Sequence, residues 1–424
     1  MIRPLYSLMV MGAQPFLRRK LRRRGAAEPG YLHAIEERFG RYRSAAEPGA
    51  LWIHAVSMGE TRAAAILLER LRQRRPGLRV LLTHGTATGW SEGERLLREG
   101  DQQAWLPWDT PQAVRRFLAH FQPSAGVLME TEVWPNLIAQ CRAIGLPLVL
   151  ANARLSAKSL AQARRLSRLS RPAYASLTAV WAQTEADARR LAQAGATVEG
   201  VFGNLKFDAA PDPAQLAQGR AWRAASDRPV VMFASSREGE EAQFFALLRS
   251  HSAPASPGPA AQAARWLVVP RHPQRFDEVA ALALFHGFTV SRRSEWTDRP
   301  LPADVWIGDS LGEMALYYAM ADVALLGGSF EPLGGQNLIE AAACGCPVVM
   351  GPHTFNFSEA AQWAQDAGAA LRVESMEEGM RTALVLATDT ERRQAAVAAA
   401  GAFTGAHRGA ADKTAEAVLA LLAP

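Results

Sequence analysis

DVALLGGSFEPLGGQNLIEAAACGCPVVMGPHTFNFSE, running from Asp322 to Glu359, sets the frame for the whole chain. Val323 to Leu326 is an apolar β-type segment that ends in Gly327-Gly328-Ser329. A second glycine pair leads into Gln336-Asn337 at the head of the apolar segment Leu338 to Cys344. The order is strand, glycine-rich turn, helix start. Such turns let backbone N–H groups approach an anion closely, and the helix N-terminus adds a favourable dipole, so the stretch reads as a phosphate site. Gly345-Cys346-Pro347 closes the helix, Val348 to Met350 is a further buried strand, and Gly351-Pro352-His353 breaks it. Taken alone, the stretch reads equally well as a βαβ unit whose glycines serve only its turns.

The same rhythm extends outward in both directions. Val230 to Ala234 is a strand that opens a helix through Ser235-Ser236-Arg237-Glu238-Gly239-Glu240. Trp266 to Val269 ends in Pro270-Arg271-His272-Pro273, and Val305 to Ile307 ends in Gly308 to Glu313, while His251 to Ala263 reads as a surface loop. In the first half, Leu51 to Val56 turns at Ser57-Met58-Gly59-Glu60-Thr61 into a helix from Ala63 to Arg72. Val80 to Thr83, Ala125 to Met129, Leu146 to Leu150, Val180 to Ala182 and Val198 to Phe202 are the other strands, with polar residues at their ends. Asp208 to Pro213, DAAPDP, reads as a linker. Repeated strand, loop and helix imply parallel doubly wound sheets whose ligands sit at the carboxyl ends of the strands. The expected fold is therefore α/β, two Rossmann-like halves facing across a cleft.

Length and composition agree with that expectation. At 424 residues the chain exceeds what one core usually supports, and 49% hydrophobic with 21% charged residues describes a folded protein rather than a disordered one. The formal charge of +6 points to an anionic partner without naming it. Cys141, Cys344 and Cys346 form neither a metal-type CxxC pair nor an even disulfide set, so a reducing compartment is expected. Residues 4 to 17, PLYSLMVMGAQPFL, are uncharged and precede Arg18, Arg19, Lys20, Arg22, Arg23 and Arg24. A spanning helix needs ~20 apolar residues, and this run is shorter and contains Pro15. It suits attachment to an anionic membrane surface, or a helix packed on the protein body.

Several polar residues fall where chemistry would be done. Glu60, at a strand's carboxyl end, is placed to act as a general base, or is a helix-start Glu favoured by the macrodipole. Glu130 and Glu132 flank Thr131 at another strand end, and Lys206 lies where the halves join, able to reach a phosphate or carboxylate or else to be a solvated linker residue. In the second half, Arg271 beside a glycine-rich helix start is what a nucleotide phosphate requires, and Glu313 or Glu340 suits ribose hydroxyls or a base amino group. Walker A and GxGxxG patterns are absent, which argues against an ATPase and weakens a dinucleotide enzyme. No metal-ligand cluster is evident, and no cofactor is expected. A nucleic-acid module would interleave basic residues with aromatics on one face, whereas the strongest basic cluster here is confined to the N-terminal segment, so nucleic acid is not an expected partner.

The motifs HAVSMGE, THGTATG, METEVWPN, NARLS, GNLKFD, ASSREGEE, VPRHPQRF, GDSLGEM, GGSFEPLGGQN and GPHTFNF, in this order, closely resemble the bacterial 3-deoxy-D-manno-octulosonic acid (Kdo) transferases of lipopolysaccharide synthesis. The resemblance runs from about Arg38 to His353 and beyond. It implies a GT-B glycosyltransferase that inverts the anomeric centre of CMP-Kdo and adds Kdo to a lipid A precursor (lipid IVA), at the cytoplasmic side of the inner membrane. By the same resemblance Glu60 is the base, and Glu130 and Lys206 assist the transition state. The expected CMP contacts are Pro270, Arg271, Leu311, Gly312, Glu313, Asn337, Leu338, Ile339 and Glu340. The expected division is a membrane-associating segment (1–30), an acceptor domain (31–207), a linker (208–213) and a donor domain (214–424). Gln336 stands where the family commonly has His and cannot carry that residue's charge. A GT-B enzyme using a UDP-sugar, or a nucleotide-sugar epimerase of the same fold, is the alternative.

Overall fold

The computed structural model of the chain describes residues 2–250 and 263–422, so residues 251–262 of the expected surface loop lie outside the described residues. The chain divides into two compact units, Met1–Asp208 with Arg408–Pro424 and Ala209–His407. The first is built on a seven-stranded parallel sheet of β1 (Leu51–His54), β2 (Val80–His84), β3 (Gln102–Trp105), β4 (Ala125–Met129), β5 (Leu148–Ala153), β6 (Ala179–Ala182) and β7 (Val198–Val201). Its spatial order is β3-β2-β1-β4-β5-β6-β7. Both faces are buried. Trp52, Leu81, Leu128 and Leu150 point into one apolar cluster with Phe117, and Leu51, Ile53, Leu82 and Val127 into another with Leu67 and Leu71. The near-continuous apolar strands read in the sequence are what this two-sided covering requires.

The second unit repeats the plan with β8 (Val230–Ser236), β9 (Arg265–Pro270), β10 (Val290–Arg292), β11 (Val305–Ile307), β12 (Val323–Leu326), β13 (Val348–Met350) and β14 (Ala370–Arg372). They are ordered β10-β11-β9-β8-β12-β13-β14, again all parallel. Each sheet has one switch point, where strand order reverses: between β1 and β4 in the first unit and between β8 and β12 in the second. In doubly wound sheets ligands gather outside the strand ends at that place.

The boundaries differ from the sequence expectation in three places. The helix Met58–Arg74 begins three residues before the expected turn ends at Thr61, because the Ser57 hydroxyl accepts the Glu60 N–H and caps it at Met58. The irregular linker shrinks to 209–212, since Asp208 ends a 3-10 turn, Leu205–Asp208, and Asp212 caps a helix starting at Pro213. The largest correction concerns the C-terminus: 214–424 is not one domain, because the last helix, Ala410–Leu421, packs on the first unit. Ala411, Ala415 and Val418 join the cluster that holds Ala63 and Leu67. The Asp208 carboxylate accepts the Gly409 and Ala411 amides at 2.6 and 2.8 Å, which fixes the returning chain.

Candidate active site

In the first unit the switch point lies between Glu60, just past β1, and Glu130, directly after β4. Glu60 stands in the first turn of Met58–Arg74, where one carboxylate oxygen accepts the Val56 amide at 2.8 Å and the other the Ser57 hydroxyl at 3.1 Å. Burial pushes its carboxyl up to about 7; the Val56 amide opposes the rise, and the negative charges of Glu130 and Glu132 add to it. A carboxyl so held is poised to take a proton near neutral pH. Glu130 is buried and adopts a left-handed backbone, φ +58°, which turns its side chain out of the strand line. Its carboxylate accepts Arg154 Nε at 2.8 Å and has Lys206 Nζ 3.7 Å away, so two cations flank one acid. The three expected catalytic residues, Glu60, Glu130 and Lys206, thus share one neighbourhood.

Behind them lie groups whose arrangement the sequence did not display. Glu132 accepts the Trp134 indole N–H at 2.7 Å, and burial raises its pKa. His54 Nε2 is 3.9 Å from Glu132, but burial lowers the His54 pKa to about 3, so the imidazole is neutral and the contact is not an ion pair. His84 is likewise held neutral by burial, at about 4. Arg154 is the addition that matters most. It was visible at the end of a strand in NARLS, yet only the register of β5 beside β4 brings it to Glu130.

In the second unit three strand ends are tied together. Ser235 is left-handed, φ +55°, at a register shift between β8 and β9, and a Cβ at Gly327 would meet its carbonyl oxygen at 2.2 Å. Glycine is therefore required where β12 leaves the sheet. The buried Glu240 carboxylate accepts the amides of Gly328 (2.7 Å), Phe330 (3.1 Å) and Arg237 (3.0 Å), which holds the glycine-rich loop against the helix after β8. Arg271, after β9, donates its amide to the Ser236 carbonyl at 3.0 Å and its Nε to Gln336 Oε1 at 3.2 Å. Gln336 thus supplies an acceptor to the arginine, a role that needs no charge.

The remaining expected nucleotide contacts divide by exposure. Pro270 is the buried last residue of β9, whereas Leu311 and Gly312 are exposed. Glu313 accepts Arg293 Nη2 at 2.8 Å and the Ser310 hydroxyl. Asn337 caps the short helix Leu338–Ala343 by accepting the Ile339 amide at 3.2 Å. Leu338 and Ile339 are 1% exposed, so their side chains belong to the core; Glu340, half-buried in the first turn, is the polar side chain there. Among the described residues no group of three His, Cys, Asp or Glu side chains is placed to hold a metal ion.

Comparison with known proteins bears on this geometry. Residues 33–209 match the family described as 3-Deoxy-D-manno-octulosonic-acid transferase (kdotransferase). A 3-deoxy-D-manno-octulosonic acid transferase of Bordetella pertussis is 50% identical over 429 residues, covering 98% of each chain. The chain belongs to the Kdo transferase family. A second member, from Haemophilus influenzae, is 33% identical and covers 91% of this chain and 90% of its own. The transferase is accordingly a glycosyltransferase enzyme. A solved glycosyltransferase from Rickettsia africae superposes with a TM-score of 0.56 at 11% identity, covering 89% of this chain and 99% of its own, a likeness of fold alone. The fold is GT-B-like, with two parallel-sheet α/β units in one transferase chain.

Proposed function

We propose that this transferase moves Kdo from CMP-Kdo to a sugar hydroxyl of a lipid A precursor, lipid IVA, with inversion at the anomeric carbon and Glu60 as general base. The observation that carries the reading is the placement of Glu60 at the switch point beside the Glu130–Lys206 pair, with its carboxyl pushed up to about 7. In the reaction Glu60 takes the proton of the acceptor hydroxyl, the oxygen bonds to the anomeric carbon of Kdo, and the bond to the CMP phosphate breaks. The developing oxocarbenium charge is favoured by Glu130, while Lys206 and Arg271 attract the acidic groups of donor and leaving nucleotide. The first unit takes the acceptor; the second takes CMP through Pro270, Arg271, the Leu311-Gly312-Glu313 turn and the segment Asn337 to Glu340.

The test is CMP release with product mass. Incubation with CMP-Kdo and a tetraacylated disaccharide acceptor should release CMP and add the mass of Kdo. Glu60→Gln should fold, bind CMP and fail to transfer; turnover near that of the wild type would remove Glu60 from the base role. Release of UDP from a UDP-sugar under the same conditions would instead favour the alternative donor.

Attachment to the cytoplasmic face of the inner membrane completes the proposal. No helix among the described residues is long and apolar enough to cross a membrane. The helix Ile2–Gly12 leaves Leu5, Leu8 and Met9 more than 60% exposed, and the helix Gln14–Ala27 leaves Phe16 74% exposed. Phe16, Arg19, Lys20, Arg23 and Arg24 line a cleft of about 470 Å³ there. Apolar and cationic groups side by side suit the headgroup region of an anionic leaflet.

A further inference from the structure

The end of β5 carries a feature that neither the strand pattern nor the carboxylate chemistry explains. Three residues of β5, Ala151 to Ala153, oppose two of β6, so the strand bulges at Asn152. Asn152 is left-handed, φ +51°, and 2% exposed. Bulges beside functional sites re-aim a side chain, and a non-glycine residue in this conformation costs of order 1–3 kcal/mol. Asn152 also keeps a buried Nδ2 with no hydrogen-bond partner, a second cost. What the bulge achieves is visible in its hydrogen bonds. Asn152 Oδ1 accepts the Leu205 amide at 3.1 Å, and its carbonyl accepts Gln183 Nε2 at 2.9 Å. Gln183 Oε1 in turn accepts Asn204 Nδ2 at 3.1 Å, and Asn204 Oδ1 accepts the Lys206 amide at 3.0 Å.

Asn152 and Asn204 therefore hold the consecutive backbone amides of Leu205 and Lys206, and Gln183 ties the two asparagines together. The fully buried Leu205 side chain anchors the same turn in the core. The side chain this turn presents is the Lys206 ammonium, 3.7 Å from Glu130. The two costly backbone conformations, Glu130 and Asn152, stand at neighbouring strand ends and are joined through the Glu130 amide, which donates to the Ala151 carbonyl at 3.0 Å.

We propose that Asn152, Gln183 and Asn204 are positioning residues that form an amide brace, setting the Lys206 ammonium against Glu130 for transfer. The proposal rests on the role given to Lys206 above. On an unbraced turn the backbone that carries Lys206 shifts and takes the ammonium away from the acid, and the brace removes that backbone freedom.

A double-mutant cycle tests it. Asn204→Ala and Gln183→Ala each remove one member of the brace, with its two hydrogen bonds, without touching the acidic groups. Each should lower kcat about five- to tenfold, the loss expected from about one hydrogen bond's worth of positioning, with KM for donor and acceptor and the melting temperature little changed. In a Lys206→Ala background the same substitutions should have no further effect, because what they position is gone. Effects that multiply in the double variants, or kcat losses that follow the melting temperature, would overturn the brace while leaving the proposed role of Lys206 intact. Near-normal turnover of Lys206→Ala alone would overturn both. Two link variants are used so that misfolding of either one leaves the other to decide.

Discussion

Glu60 is buried enough for its ionisation to be opposed, yet two hydrogen-bond donors, the Val56 amide and the Ser57 hydroxyl, favour its charged form. Its base form predominates only above about pH 7, so kcat/KM should rise with pH through about 7 and level off beyond. Glu132→Gln removes one of the negative neighbours that raise this pKa, so the rising limb should move to lower pH; an unmoved limb would mean that Glu60 does not set it. The same shift has a sign for stability. The folded pKa lies above the ordinary 4.5, so the folded state holds this proton more tightly, and the contribution is lost as pH rises from 4.5 through about 7. Glu60→Gln keeps an acceptor for the Val56 amide and cannot ionise. Relative to the wild type its melting temperature should improve on going from acid to about pH 8, where the wild-type carboxylate is charged.

Gln336 allows a second prediction at this scale. It acts as an acceptor for Arg271 Nε, so Gln336→Ala should raise KM for the nucleotide donor about fivefold through loss of roughly 1 kcal/mol of orientation, with KM for the acceptor unchanged. Gln336→His restores an acceptor only while its ring is neutral. Donor KM should therefore be near the wild-type value at about pH 8 and rise below about pH 6, the range in which an imidazole gains its proton. A flat pH response in the His variant would show that the Arg271 contact does not depend on an acceptor there.

At the scale of elements, the loop after β12 depends on a backbone approach that only glycine allows. Gly327→Ala would drive a methyl group to 2.2 Å from the Ser235 carbonyl oxygen, backbone that cannot rotate away. Overpacking of this kind costs about 1–3 kcal/mol, and a unit of this size loses about 2–4 °C of melting temperature per kcal/mol. Gly327→Ala should therefore lower the melting temperature by several degrees and weaken CMP binding; an unchanged melting temperature with unchanged affinity would contradict the close approach.

The glycine turns, the apolar strand runs and the polar strand ends were legible in the sequence because each rests on local chemistry: a period, a run length, a residue with unusual backbone freedom. Gln102–Trp105, Val290–Arg292 and Ala370–Arg372 were not legible as strands. They are short, all three lie at a sheet edge, and QQAW and VSR carry polar residues that blur the apolar run. Arg154 and Asn152 stood in plain view in NARLS, but their partners lie 24 residues back at Glu130 and 53 residues on at Leu205. Such pairings arise from sheet order and from a bulge, which no local pattern announces. Gln336 departs from the family's His in the sequence itself, but its use as an acceptor depends on Arg271, 65 residues away in the chain.

At the scale of the whole molecule, the chain crosses from the first unit to the second near Asp208 and returns near Arg408. The returning helix covers Ala63 and Leu67 with Ala411, Ala415 and Val418, and Arg74 pairs with Asp412 at 2.8 Å. Truncation after His407 would expose that apolar strip and leave the Asp208 carboxylate without the amides it accepts. The first unit should lose about 3 kcal/mol or more and become prone to aggregation. A truncated protein that melts like the full chain would show that the C-terminal helix is dispensable.

Charge is distributed as unevenly as hydrophobicity. The first 24 residues hold seven Arg or Lys and no Asp or Glu, so against a formal net charge of +6 the rest of the chain carries −1. The same segment is anchored on its inner side: Tyr6 donates to Asp109 at 3.0 Å, and Ser7 donates to Asn136 at 3.0 Å. Its outer side presents Leu5, Leu8 and Met9, which face solvent at an apolar cost unless a surface covers them. Inner and outer faces can therefore be tested apart. Leu5→Ser with Leu8→Ser should abolish co-flotation with anionic vesicles while leaving kcat on detergent-dispersed acceptor unchanged, because neither side chain reaches the Glu60 neighbourhood. Raising the ionic strength should weaken wild-type flotation, since the Debye length falls from about 10 Å at ~0.1 M to about 3 Å at ~1 M and screens the basic cluster from lipid phosphates. Flotation that is equal on zwitterionic vesicles and insensitive to salt would leave only the apolar face as the attachment. No flotation by the wild-type chain on either vesicle would remove the membrane role altogether.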